Sequence, residues 1–77
     1  MAAKRKDWKA RVKGMLKAEL KRQGLSYAAL AAKLAEIGVQ DNELNIKNKI
    51  NRGTFTAMFF FQCLAAVGCK TLHLADD

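Results

Sequence analysis

Residues 26–53, SYAALAAKLAEIGVQDNELNIKNKINRG, decide the fold. They predict two helices joined by a turn at Gly38. Ser26 is suited to cap the first helix, and Leu25 stands five residues before Leu30, the spacing of a hydrophobic staple. Leu30, Leu34 and Ile37 then share one face. The alanines around them supply helix propensity and let a neighbouring helix approach closely. Gly38 fits the left-handed position that ends a helix, and Val39 is the apolar residue that packs back on it. Asp41 or Asn42 caps the next helix, with Glu43 favoured in its first turn by the helix dipole. At ~100° per residue, Ile46 and Ile50 point inward, with Glu43 and Lys49 on or beside that side. Leu44, Asn45, Asn48, Asn51 and Arg52 point outward, Lys47 lies between the two faces, and Gly53 closes the helix. Three Asn within seven positions lower helix propensity, so another requirement explains them.

Working outward, Asp7 is an N-cap for a preceding helix. Trp8, Val12, Met15, Leu16 and Leu20 form its apolar face, and Gly24 is its stop. Lys9, Lys13, Lys17 and Lys21 recur every fourth residue along its flank. Such like charges repel by a few tenths of a kcal/mol per pair, and a polyanion would relieve that repulsion. Glu19, inside the apolar face, is expected to pair with Arg22 or to cap a neighbouring helix. On the other side, Phe55 and Thr56 repeat the staple and cap before a helix over 57–67. That helix is apolar nearly all round (Met58, Phe59, Phe60, Phe61, Cys63, Leu64, Val67), as befits a core helix or one covered by a second subunit. After Gly68 the stretch KTLHL alternates at period two, which suits a short strand or a docked extension.

Seventy-seven residues allow one domain with one modest core. With no Pro, few Gly and 51% apolar residues, the chain is expected to be all-α. Residues 1–6 form a basic arm, and residues 7–77 a single domain. The formal charge is +7 and unevenly placed: residues 1–22 hold nine Lys/Arg against Asp7 and Glu19, whereas the remainder balances. Such an excess suits nucleic acid or an anionic surface. No apolar run reaches the ~20 residues needed to cross a bilayer, and no signal-peptide pattern follows the basic start, so a cytoplasmic, nucleoid-associated location is expected and no membrane partner. Cys63 and Cys69, with only His73 near in sequence, are too few for a closed zinc site and read as reduced thiols. No nucleophile–base set, carboxylate pair or phosphate-cradling Gly loop is present. Catalytic residues, metal ligands and cofactors are therefore all expected to be none.

The outward face of the helix around residues 43–52 carries the chemistry of base reading. Asn pairs bidentately with adenine, Arg with guanine, and an apolar side chain meets the thymine methyl. Leu44, Asn45, Asn48 and Arg52 are the expected base readers. Lys9, Lys13, Lys17, Lys21, Ser26, Tyr27, Lys47 and Lys49 are the expected phosphate contacts. A homodimer is expected, with Phe59, Phe61, Leu72 and Leu74 at its interface, on double-stranded DNA. The alternatives are a protein-interaction adaptor or inhibitor that keeps the same scaffold, and a non-specific nucleoid-associated binder.

The phrases LKAELKRQGLSYAALAAKLAEIGV (16–39) and NKINRGTF (48–55) carry a resemblance. The order of helix, Ser-capped helix, Gly turn, helix ending in Arg52-Gly53 and capped helix ending LAAVG resembles the lambda-repressor and Cro type of helix-turn-helix domain. More closely, it is similar to short bacterial helix-turn-helix-like proteins. The likeness spans residues 15–70. It implies a four- to five-helix domain that acts in transcription regulation.

Overall fold

In a computed structural model, which describes residues 7–72, four helices follow in order: α1 (Trp8–Gln23), α2 (Tyr27–Glu36), α3 (Glu43–Arg52) and α4 (Ala57–Ala66). Each begins on a side-chain cap that accepts a backbone N–H two or three residues into the first turn. Asp7 accepts from Ala10 at 3.1 Å, Ser26 from Ala29 at 3.0 Å, Asn42 from Asn45 at 2.8 Å and Thr56 from Phe59 at 3.0 Å. Of the two candidates for capping α3, Asn42 takes the role, and Asp41 turns inward to other partners. Gly24 and Gly53 close α1 and α3 in the left-handed region, and Gly38 turns the chain at φ 87° just past α2. Phe55 reaches forward to Phe60, their rings stacked at 6.0 Å, as the staple spacing requires.

α1 and α2 each pack against both α3 and α4. The core lies where the four meet. Leu16 and Leu20 come from α1, Leu30 and Leu34 from α2, Ile46 and Ile50 from α3, and Phe59, Cys63 and Leu64 from α4, with Val67 just beyond. Two apolar residues assigned to buried faces lie outside. Trp8 is 66% exposed, because it is the first residue of α1, eight positions ahead of its first core residue, Leu16. Ile37 is 48% exposed, because it caps α2 and the chain turns at Gly38 before it can point inward. Val39 takes the inward place: its N–H bonds the Leu34 carbonyl at 2.9 Å, and its side chain packs on the core. No strand occurs among the described residues, so residues 70–72 of the alternating stretch 70–74 are not in the short strand that is one reading of its pattern. His73 and Leu74, like the 1–6 arm, lie outside the described residues.

Cys63 is fully buried, and burial pushes its thiol up to about 12. Cys69 is half-buried, with its thiol donating to the Thr71 carbonyl at 3.2 Å. Glu19 pairs with Arg22, as expected, and accepts from Gln23 Nε2 at 2.6 Å. Gln23 also donates to the Val67 carbonyl at 3.0 Å, which ties the end of α1 to the end of α4.

Two carboxyls are held below their ordinary values. The Arg22 guanidinium acts most on Glu19, from 4.5, and the Lys49 ammonium most on Asp41, from 3.8. Both bind protons less readily when folded than when unfolded. The stability they contribute is complete above those ordinary values and is lost as pH falls through the lower folded ones. Thermal melts should therefore be flat from pH 7 to about 5 and decline below about 4. A Glu19→Gln, Asp41→Asn double variant should start lower and lose less on acidification. An unchanged acid slope in that variant would show that these groups do not set it.

Candidate nucleic-acid interface

α1 and α3 lie side by side and run in opposite directions. At one end Gly53 sits against Lys9 and Lys13, and Lys13 Nζ donates to the Asn51 carbonyl at 3.1 Å. At the other end Lys17, Leu20 and Lys21 share an open cleft of about 470 Å³ with Leu25, Ser26, Tyr27 and Glu43. The row Lys9, Lys13, Lys17, Lys21 therefore flanks α3 from its C-terminus to its N-terminus. Helical spacing puts the lysines in one row, and the antiparallel packing sets that row beside the Asn-rich helix.

On α3 the division of faces follows the periodicity. Ile46 and Ile50 are fully buried; Leu44 (64%), Asn45, Lys47, Asn48, Asn51 and Arg52 are exposed. Arg52 Nε donates to Thr54 Oγ1 at 3.3 Å, which holds the guanidinium back over the end of the helix. All four expected base readers are thus on one solvent-facing helix.

The expected phosphate contacts divide into two groups. Lys9, Lys17, Lys21 and Lys47 are exposed, and Ser26 and half-buried Tyr27 lie in the cleft with Lys17 and Lys21. Lys13 and Lys49 have partners within the chain. Lys13 is bound to a carbonyl in the last turn of α3, where a cation is favoured by the helix dipole. Lys49 Nζ is 2.7 Å from Asp41 Oδ2 and 4.7 Å from the centroid of the Phe59 ring. Glu43, read as a favourable first-turn charge on or beside the inward side, is instead exposed because it opens α3 ahead of the core; it lines the lysine cleft and places one negative charge among the positive ones.

Of the residues expected at a dimer interface, Phe59 is placed otherwise. It is 5% exposed, packed in the core 5.5 Å from the Phe55 ring, and has no surface to offer a partner. A helix apolar all round cannot reveal by period alone which aromatic points inward, and here the Thr56 cap and Phe55 fix its rotation. Phe61 (68%) and Leu72 (41%) are exposed and line one shallow groove; Leu74 lies outside the described residues. The pair Asp41–Lys49 escaped the sequence reading altogether. Its only signal was a carboxylate in a helix connector eight residues before a lysine on the inward flank.

Among the described residues no cluster of three or more His, Cys, Asp or Glu converges to hold a metal, and no helix is long and apolar enough to cross a membrane. Residues 8–72 match the family described as Domain of unknown function (DUF6471). No curated protein and no solved structure gives a significant match.

Proposed function

Because the chain belongs to the DUF6471 family, whose description assigns no activity, we propose from its geometry that it is a small DNA-binding domain of the lambda-repressor type. In this reading α2 and α3 are the helix-turn-helix pair, α3 enters the major groove, and the protein acts as a regulator of transcription. The observation that carries the proposal is the lysine row of α1 lying along α3, whose solvent face bears Leu44, Asn45, Asn48 and Arg52. Phosphate contacts position a protein on the duplex, and base-edge contacts specify the site. Here both kinds of side chain flank one groove-sized helix. Lys9, Lys17, Lys21 and Lys47, with Ser26 and Tyr27, would take phosphates; Leu44, Asn45, Asn48 and Arg52 would take base edges.

Binding of purified protein to random duplex across a salt series, followed by selection of a preferred site, tests this reading. Lys17→Ala and Lys21→Ala should weaken binding to every duplex and flatten the dependence of log K on log salt by about 0.9 per lost phosphate contact. Asn48→Ala or Arg52→Ala should cost ~1–3 kcal/mol on the selected site and leave random duplex nearly untouched. If no change in α3 alters site preference, the basic helix grips DNA non-specifically. If the lysine changes also leave affinity and salt slope untouched, the DNA reading fails.

A second surface supports self-association. Exposed Phe61 and Leu72 share a groove with Leu64 and Ala65, and Met58 is 66% exposed on the same helix. We propose a homodimer through this face, binding half-sites roughly one helical turn apart. Phe61→Lys should convert it to a monomer by light scattering, and a wild-type chain already monomeric at tens of micromolar would refute the dimer. Capture of a protein partner insensitive to salt and abolished by Phe61→Lys would instead favour the adaptor reading.

A further inference from the structure

Asp41 occupies the six-residue connector between α2 and α3, yet its side chain is only 9% exposed. Its carboxylate accepts from Lys49 Nζ at 2.7 Å and from its neighbour's backbone, Asn42 N–H, at 2.9 Å. Lys49 in turn stands over the ring of Phe59, a buried residue of α4. One ion pair thus joins three things: the connector, the inward flank of α3 and the first turn of α4. Asn45 and Lys49 are four apart and so adjacent on the helix surface. Whatever fixes Lys49 also fixes the edge of the face that carries Asn45.

From this we infer that Asp41 and Lys49 are positioning residues, a clip that sets the rotation of α3 and so aims its outward face, and that Lys49 makes no phosphate contact. The inference rests on the DNA reading for its consequence and on the geometry alone for the clip itself. Without the clip, α3 would still be held by Ile46 and Ile50, but the connector would lose its anchor and the flank of α3 beside Asn45 its tie to the connector. A contact of one helix position's error at a base edge is enough to lose a bidentate pair. Phosphate contacts, which tolerate adjustment of long lysine side chains, would persist.

The test uses the full chain with Asp41→Asn, Lys49→Met, both together, and Lys49→Arg, the conservative change that keeps the bond. Met keeps the apolar stem over Phe59, and a cooperative thermal melt confirms that each variant folds. Without DNA, amide exchange of residues 42–46 should speed about tenfold in either single variant, no further in the double variant, and much less in Lys49→Arg. Unchanged exchange in both single variants overturns the clip, whatever the protein binds. With DNA, Asp41→Asn and Lys49→Met should each weaken the selected site about fivefold to tenfold at unchanged salt slope, random duplex being little affected. The opposite pattern overturns the inference. In that pattern Asp41→Asn tightens every duplex and Lys49→Met cuts the salt slope by about 0.9, which would make Lys49 a phosphate ligand and Asp41 a nearby repelling charge. A wild-type chain that binds no duplex removes the DNA reading and leaves the clip to the exchange result.

Discussion

Ile50→Ala is expected to remove about 2–5 kcal/mol of stability, the cost of a cavity at a fully packed site. Ile50 is 0% exposed, on the helix that packs against both α1 and α2. A domain of this length has about 4–12 kcal/mol in total, so the loss is a large share of it. Denaturant titration reads the loss directly. Ile37→Ala is the control. It changes the same residue type by the same atoms, but Ile37 is 48% exposed past the end of α2, and its cost should stay within about 0.5 kcal/mol. Equal costs for the two would mean that the core is not where these contacts put it.

The second large effect is expected at Gly53. Its φ is +73°, and a Cβ there would stand 3.1 Å from the backbone carbonyl of Lys9 and 3.3 Å from the Lys9 Cγ. Gly24 provides the comparison, with φ +69° and nothing within 4 Å of the same added atom. Gly24→Ala should therefore carry only the left-handed penalty of an L-residue, about 1 kcal/mol. Gly53→Ala should carry that penalty plus the displacement of α1, about 2–4 kcal/mol in all. The difference in unfolding free energy between the two variants isolates the close approach of α1 to α3. On the proposed function, the same substitution should also weaken DNA binding, since it pushes the lysine row away from the reading helix.

Much of the fold was legible because its signals are local. Each helix start is a side chain accepting from its own first turn, and each stop falls on or next to a glycine, so Asp7, Ser26, Thr56, Gly24, Gly38 and Gly53 could be placed without any tertiary contact. The inward positions of Ile46 and Ile50 followed from period alone. What could not be read depends on how helices lie together. Phe59 and Phe61 are two apart on an apolar helix and look alike in sequence, yet one is core and the other surface. Trp8 and Ile37 fit the period of their helices but fall beyond the ends of the core. The Asn face of α3 was visible in the sequence. That Lys13 would be spent on the Asn51 carbonyl, and Lys49 on Asp41, was not, because both bonds close loops that sequence spacing does not measure.

The two sulfurs have a use of their own. Thiol reagents attack the thiolate, so Cys69, near the surface, should be modified at once and mark the start of a time course. Cys63, on the buried face of α4 with its thiol pushed up to about 12, can react only when that helix lifts away from the core. The lag between the first and second modification, followed by intact mass, is then a clock built into the chain. With closing fast relative to reaction, it reports what fraction of the molecules stand open. It needs neither denaturant nor an engineered residue, and it would read the same protein in the presence and absence of whatever it binds.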